Sequence, residues 1–240
     1  GAAPHGRRQR ILLPHQSDPP MNSTEASAYR QSYLEGPPKQ VPGFSGVHRM
    51  VQVLLAERVP SDGRILVLGA GGGMEIDALA SEQPGWRFDG VDPSREMLAL
   101  AAQTVEPHKE RVALHEGEIQ VAPPGPFDGA TSLLTFHFIA PAQRLDTLRA
   151  IRQRLRPGAP FVVMHISITS AEPDRSKWLA RHLAFAATPT AMAEQAIQTM
   201  RSKLSILSPE EDESLLREAG FEGVSLFYAG FSFRGWVAYA

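Results

Sequence analysis

The 240-residue sequence contains no cysteine. Disulfides, thiolate nucleophiles and cysteine-based zinc sites are therefore excluded, and nothing is indicated about the redox compartment. No apolar stretch approaches the roughly 18 residues that a membrane-spanning helix needs. The sequence also has little excess of either charge, because 24 basic and 26 acidic residues leave a formal net charge of −2. This balance argues against a surface built mainly to bind nucleic-acid phosphates.

What is present is typical of one globular domain. Hydrophobic residues make up 42% of the chain and charged residues 21%, and this length is sufficient for a full hydrophobic core. Residues 1–20 differ, since they are rich in proline, arginine and histidine and hold a single acid. We expect them to be a disordered tail or an extension before a natural start at Met21, with an Arg-rich targeting segment as the alternative. Residues 21–240 are predicted to form a single domain.

Strands and helices alternate along this domain. Strands are predicted at 64–68, 86–92, 112–115, from Phe127, at 161–166, and in two closing runs, VSLFY and FSFRGWVAY, that pair as a hairpin around Ala229-Gly230. Helices are predicted at 47–55, 74–80, 94–105, 145–155, 174–205 with a break at Pro189, and from a capping box at Ser208 to Gly220. The alternation predicts an α/β fold: a Rossmann-like, seven-stranded, mostly parallel sheet with an antiparallel C-terminal strand and helices on both faces. Residues 21–46 and 170–206 are expected to form a small helical cap.

A glycine-rich turn follows the first strand in ILVLGAGGGMEIDALA, which begins at Ile65. Glycine is favoured where the main chain turns sharply or a ligand approaches closely, and ligands of open α/β sheets bind beyond the carboxyl ends of the strands. Gly69, Gly71 and Gly73 therefore predict a binding site, with a merely tight turn as the alternative. Asp92 ends the next strand, where a carboxylate can bind both hydroxyls of a ribose or cap the following helix.

The spacing of the glycines distinguishes between nucleosides. A dinucleotide fingerprint has a third glycine where Met74 stands, so the pattern favours a nucleoside that carries an amino-acid tail. VLGAGGG, FDGVDPSREMLALA, EGEI, FDGATSLLTFHFI and LRPGAPFVVMH occur in the order and spacing of the class I S-adenosylmethionine-dependent methyltransferases. From about Val41 to its C-terminus the chain resembles that family.

The resemblance implies a methyltransferase with S-adenosylmethionine as cofactor and S-adenosylhomocysteine as product. The cofactor residues that it implies follow the first four strands: Gly69, Ala70, Gly71 and Gly73 at the methionine part, Asp92 at the ribose, Pro93, Glu118 and Ile119 at the adenine, and Leu134 and Thr135 beside the methyl group. The family usually has an acid at the position of Val67, where it helps to anchor the amino end of the cofactor. Either another group takes that role or the affinity for the cofactor is weaker. Glu75 and Asp77 follow the glycines, with solvated helix positions as the alternative.

The flanking segments show a narrower resemblance, to carboxy-S-adenosylmethionine synthase of a tRNA-modification pathway. The similar segments are VPGFSGVHRM, Met200-Arg201-Ser202 and FYAGFSFRGWVAY. An arginine of that synthase holds the extra carboxylate, and Arg201 would match it. Phe44 and Leu133, however, stand where the synthase has polar contacts. The resemblance thus implies a shared ancestor rather than a shared reaction, and synthase-like activity remains an alternative.

Two histidines are candidates for a catalytic base. Methyl transfer to a hydroxyl or an ammonium requires loss of a proton, and the ordinary pKa of histidine lies near neutrality. His137 and His165 follow the fourth and fifth strands, with packed histidines of no catalytic role as the alternative. The acceptor is expected to be a small molecule enclosed by cap residues: Tyr29, Tyr33, Phe44, Trp178 and Arg201, with His182 and Phe185 nearby. The alternatives are that the aromatic residues form the core of a small helical cap and that Arg201 is a solvated or salt-bridged surface residue.

We expect no metal site, no membrane or nucleic-acid partner, a cytoplasmic location, and a monomer or homodimer. Two other classes of protein remain open at this point. One is an NAD(P)-dependent oxidoreductase, which would share the glycine turn and Asp92. The other is a non-catalytic module that binds the cofactor.

Overall fold

A computed structural model describes the main chain from Ser23 and the side chains from Gln31 to the C-terminus. The predicted tail at 1–20 lies outside the described residues. The strands are β1 Arg64–Leu68, β2 Arg87–Asp92, β3 Val112–Glu116, β4 Gly129–Leu133, β5 Pro160–Ile166, β6 Glu222–Gly230 and β7 Phe233–Tyr239. The helices are α1 Ser23–Gln40, α2 Phe44–Ala56, α3 Met74–Glu82, α4 Arg95–Thr104, α5 Pro141–Gln153, α6 Asp174–Phe185, α7 Thr190–Lys203 and α8 Pro209–Glu218.

The seven strands form one sheet in the order β3-β2-β1-β4-β5-β7-β6. Strands β1 to β5 run parallel, and β7 is antiparallel to both β5 and β6. The predicted fold class is confirmed. Because the strand order reverses between β1 and β4, the carboxyl ends of these two strands form the topological switch point, where such sheets bind ligands.

Alternating side chains of β1 enter two different cores. Ile65 and Val67 pack on the face covered by α2 and α3, whereas Leu66 and Leu68 pack on the face covered by α5 and α8. All four side chains are at most 5% exposed. A strand buried on both faces reads as a continuous apolar run, and for this reason its bounds were predicted correctly.

The C-terminal hairpin turns two residues later than predicted. Strand β6 continues through Gly230, which pairs with Phe233, so the turn consists of Phe231 and Ser232. Phe231 adopts the left-handed φ of 48° at the turn. Gly230 has a different role, because a Cβ there would clash with the hydroxyl of Tyr228.

Helices α1, α6 and α7, here called the cap helices, lie within the two predicted cap segments. Helix α6 packs against both α1 and α7. The expected break at Pro189 is present, since this residue directly precedes α7. Among the described residues, no helix is both long and apolar enough to cross a bilayer.

Candidate active site

A cavity of about 1,250 Å³ lies between the carboxyl ends of the strands and the cap helices. Ligand pockets are commonly about 300–1,000 Å³, so this space is large enough for a nucleoside together with a second molecule. Twelve of the predicted site residues line it: Tyr33, Phe44, Gly69, Ala70, Gly71, Asp92, Pro93, Glu118, Ile119, Leu134, Thr135 and His137. The topology therefore brings most of the predicted cofactor residues to one space.

The glycines of this turn fit the conformation of the main chain and the neighbouring side chains of the protein. Gly69, Gly71 and Gly73 have φ angles of 79°, 47° and 83°, a region that other residues rarely adopt. A Cβ on Gly69 would clash with Thr135, and one on Gly71 would lie 2.5 Å from the hydroxyl oxygen of Tyr33. The glycines are thus required by the backbone conformation and by the close approach of neighbouring side chains, which differs from the ligand contact proposed from sequence.

Gly73 does not line the cavity. A Cβ there would lie 3.0 Å from the Cα of Ala101 in α4, so this glycine allows α3 and α4 to pack closely. Its predicted contact with a cofactor has no support in the geometry.

Asp92 connects the glycine turn to the start of α4. Its carboxylate accepts hydrogen bonds from the main-chain N–H of Gly71 at 3.0 Å and from that of Ser94 at 2.9 Å. The side chain that caps α4 is Ser94, whose Oγ accepts from Met97 N. Asp92 is 8% exposed and lines the cavity, so its carboxylate lies where the ribose contact was predicted.

Leu134, after β4, has a strained main chain. Its φ of 58° is uncommon for a non-glycine residue, and such conformations cost about 1–3 kcal/mol and cluster at ligand sites. Its N–H donates to the carbonyl of Met164 at 2.6 Å, which holds the strain in place. Both Leu134 and Thr135 line the cavity beside Gly69.

His137 lines the cavity but is not oriented as a base. The main-chain N–H of Ile166 donates to its Nδ1 at 3.1 Å, so the neutral ring carries its proton on Nε2. Burial, together with the nearby His165 and Arg144, lowers the pKa of His137 well below 6.5. The neutral ring can donate a hydrogen bond from Nε2 but has no lone pair to offer a substrate, so the prediction of a base at this position is not supported.

His165 does not line this cavity. Its ring lies between the rings of Phe136 and Trp236, with centroid distances of 5.7 Å to each. Its Nε2 is 3.1 Å from a carboxylate oxygen of Asp212, and the residue is 2% exposed. This position gives His165 no route to a substrate, and the predicted catalytic role is likewise not supported.

The predicted acceptor residues are only partly brought together. Tyr33 and Phe44 line the cavity, whereas the side chain of Tyr29 lies outside the described residues. Trp178 is not among the lining residues, and its ring packs against the guanidinium of Arg181 at 4.6 Å. Arg201 is exposed and donates to Glu172 at 2.7 Å, and this contact lowers the pKa of Glu172 to about 2.

Two groups in the cavity wall gain importance from the structure. His182 was expected only as a cap residue, yet it is buried beside the cavity with its Nδ1 2.6 Å from Ser232 Oγ. Burial lowers the pKa of His182 to about 4. Glu75 also lines the cavity, is 7% exposed, and has an Oε1 atom with no hydrogen-bond partner among the described residues. Neither environment could be read from sequence, since Ser232 is 50 residues from His182 along the chain.

Comparison with known proteins agrees with this geometry. A family model described as a methyltransferase domain matches residues 66–161, which run from β1 into β5. The chain is also similar to a carboxy-S-adenosyl-L-methionine synthase of Pseudomonas aeruginosa, with 26% identity over 212 residues that cover 83% of this chain and 86% of the relative. Both findings support the predicted resemblance to the class I S-adenosylmethionine-dependent methyltransferases. The predicted enzyme class and cofactor are confirmed.

Solved structures of methyltransferases share the fold. A putative O-methyltransferase from Nostoc punctiforme aligns with a TM-score of 0.63 at 19% identity, over 90% of this chain and 60% of that one. Human N-acetylserotonin methyltransferase, solved in complex with S-adenosylmethionine, aligns with a TM-score of 0.60 at 18% identity, over 91% of this chain and 56% of that one. The chain thus spans less than two thirds of either structure.

Proposed function

We propose that this methyltransferase transfers the methyl group of S-adenosylmethionine to a hydroxyl oxygen of a small, largely apolar molecule. The observation that carries the proposal is the continuity of the cavity, because one space joins the glycine turn to α6 and α7. Apolar side chains dominate its wall on these two helices: Leu183, Met192, Ala196 and Met200. Among the described lining residues there is no arginine, so this wall suits a neutral acceptor.

The residues that line the near end of the cavity fit the cofactor. Asp92 is placed to accept the ribose hydroxyls, while Pro93, Glu118 and Ile119 border the place of the adenine. The buried Oε1 of Glu75, which has no hydrogen-bond partner among the described residues, indicates that a polar or cationic group completes this end. We propose these cofactor contacts on the basis of the cavity geometry and of the resemblance to the family.

When bound, S-adenosylmethionine supplies an electrophilic methyl group on a sulfonium sulfur. Leu134 and Thr135 border the place of this group and hold the acceptor in line with it; such positioning supplies up to about 7–11 kcal/mol of the barrier in well-oriented reactions. The Nε2–H of His137 donates to the acceptor oxygen and directs it. His182 takes the hydroxyl proton at Nε2, while its Nδ1–H donates a hydrogen bond to Ser232 Oγ.

An oxygen acceptor is supported by the chemistry of the wall. Its polar groups near α6 and α7 are His182, Thr188, Gln195 and Thr199, which suit a hydroxyl better than a charged group. The similar structure from Nostoc punctiforme is described as a putative O-methyltransferase. Both points favour a molecule with a neutral hydroxyl group as the acceptor over one with a carboxylate or a cationic group.

The test is an acceptor screen with direct detection of both products. Purified protein with S-adenosylmethionine is offered phenols and hydroxylated heterocycles beside matched amines and thiols of the same skeleton. Methylated product and S-adenosylhomocysteine are measured by mass spectrometry. We expect turnover with hydroxyl compounds, whereas turnover confined to amines or thiols would contradict the proposal. Binding of S-adenosylhomocysteine without turnover of any acceptor would favour a non-catalytic module, and binding of NAD(P)H alone would favour an oxidoreductase.

Carboxy-S-adenosylmethionine synthase-like activity is the second candidate, favoured by the similarity to the curated relative. The geometry weighs against it, because Arg201 pairs with Glu172 on the surface and does not line the cavity. Mass spectrometry of the nucleosides that copurify with the protein distinguishes the two. Recovery of the carboxylated cofactor would support the synthase, and recovery of S-adenosylmethionine or S-adenosylhomocysteine would support methyl transfer.

We further propose that residues 21–240 act as one domain, with the cap at 21–46 and 170–206. The cytoplasmic location and the monomeric or homodimeric state remain predictions. Size-exclusion chromatography with light scattering tests the oligomeric state.

A further inference from the structure

Position 67 lies in β1, two residues before the glycine turn, where the family usually has an acid. Val67 in β1 is fully buried and packs on the face of the sheet covered by α3. Its neighbour in register on β4 is Thr131, and side chains in register on adjacent strands lie on the same face. The hydroxyl oxygen of Thr131 is buried and has no hydrogen-bond partner among the described residues.

Glu75 brings a carboxyl group to this same place from a different element. It is the second residue of α3, directly after the glycine turn, and its side chain reaches Thr131. The residue lines the cavity although it is only 7% exposed. Its Oε1 is unpartnered within the described part of the chain. Glu75 therefore brings its carboxyl group to Thr131 on β4, the same residue that lies beside Val67.

The other acid of this helix has a different environment. Asp77 does not line the cavity; its side chain is 42% exposed and lies 3.3 Å from His108 on the surface. Of the two acids that follow the glycines, only Glu75 therefore faces the ligand space.

A buried carboxylate without a partner is costly, and proteins keep such groups when a ligand or another charge compensates for them. Burial raises the pKa of Glu75 to about 8, and the neighbouring Thr131 hydroxyl offsets only part of this effect. Apart from histidines, the basic side chain among the described lining residues is Lys39, which pairs with Glu35 at 2.9 Å. A cationic group that pairs with an ionised Glu75 would therefore come from a bound molecule.

We propose that Glu75 binds the ammonium group of the methionine part of S-adenosylmethionine, in place of the acid that is missing at Val67. This inference rests on the proposed function, since it assumes that the cofactor lies along the glycine turn. It assigns a positioning role to a helix residue: the ion pair fixes the amino-acid tail and thereby the direction of the sulfonium. Thr131 lies beside this carboxyl group on the sheet.

Calorimetric binding of two ligands tests the assignment. The ligands are S-adenosylhomocysteine and an analogue in which hydrogen replaces its amino group. The proteins are the wild type, Glu75→Gln and the matched control Asp77→Asn. We expect Glu75→Gln to weaken S-adenosylhomocysteine about 10- to 100-fold, as for loss of a charged hydrogen bond, and to leave the deaminated analogue unchanged within a factor of two. Asp77→Asn should bind both ligands like the wild type.

Each alternative outcome has a distinct meaning. Equal weakening of both ligands by Glu75→Gln would overturn the inference, because Glu75 would then support the turn rather than the ammonium. Unchanged binding of both ligands would overturn it as well. If the wild type itself binds neither ligand, the proposed function fails together with the inference. Retained affinity of Glu75→Gln for the deaminated analogue also shows that the variant is folded.

Discussion

The burial of the Glu75 carboxyl group leads to a prediction about the stability of the protein. Testing it does not require the methyl acceptor to be known. In the ligand-free protein its pKa is about 8, against 4.5 for an ordinary glutamate. Between these values the folded state binds more protons than the unfolded state, so the free energy of unfolding falls as the pH rises from about 4.5 to about 8. One pH unit corresponds to about 1.4 kcal/mol. At pH 7 the carboxyl therefore destabilises the fold by about 3 kcal/mol relative to pH 4.5.

Glu75→Gln should remove the contribution of this carboxyl group to the pH dependence of the free energy of unfolding. The amide keeps the size of the side chain and does not titrate, so the variant should gain about 3 kcal/mol over the wild type between pH 4.5 and pH 7. The assay is urea unfolding of the ligand-free proteins at several pH values, since the difference between two curves cancels all other titrating groups. The free energy of unfolding of a single domain is typically about 5–15 kcal/mol, so a change of this size is large enough to measure.

Asp77→Asn is the matched control for this experiment. It removes the same charge from the same helix at a side chain that is 42% exposed, where substitutions change stability by about 0.5 kcal/mol or less. Parallel stability curves for the wild type and Glu75→Gln across this pH range would refute the reasoning. The carboxyl would then be solvated or paired, and the argument for an ammonium partner would fail with it.

Three further predictions concern ligand binding and turnover. Asp92→Ala should weaken S-adenosylhomocysteine by about 1–3 kcal/mol, because the Gly71 N–H and the ribose lose a shared acceptor; calorimetry measures this, and an unchanged affinity would remove Asp92 from the site. Binding of S-adenosylhomocysteine to the wild type at pH 7 should release close to one proton, since an ammonium lowers the raised pKa of Glu75; calorimetry in buffers of different ionisation enthalpy detects it, and Glu75→Gln should release none. His182→Gln should lower kcat with little change in the affinity for S-adenosylhomocysteine, whereas an unaltered kcat would assign the proton transfer to another group.

Much of the fold follows from the pattern of apolar residues. The bounds of β1 are those predicted, because a strand covered on both faces has no polar position in its interior. The hairpin turn was placed wrongly because Gly230 suggested a turn, although its role is to make room for the ring of Tyr228. A glycine that serves tertiary packing cannot be distinguished by sequence from one that serves a turn.

That most of the predicted cofactor residues line one cavity was predictable for a related reason. Residues that follow parallel strands meet at one edge of the sheet, so their order along the chain is sufficient to place Asp92 and Leu134 together. The environments of the histidines were not predictable in this way. The side chain of His137 accepts a hydrogen bond from the main-chain N–H of Ile166, and that of His182 lies 2.6 Å from Ser232 Oγ. Such contacts join residues far apart in sequence, and no local pattern marks them.

The hydrogen bonds of the glycine turn have a consequence for affinity. The N–H groups of Gly69 and Ala70 donate to the carbonyl of Val91, and that of Gly71 donates to Asp92. The loop therefore acquires its shape when the chain folds, and its loss of conformational entropy belongs to folding. A molecule that binds here meets a preorganised surface, so its affinity is not reduced by the cost of ordering the loop.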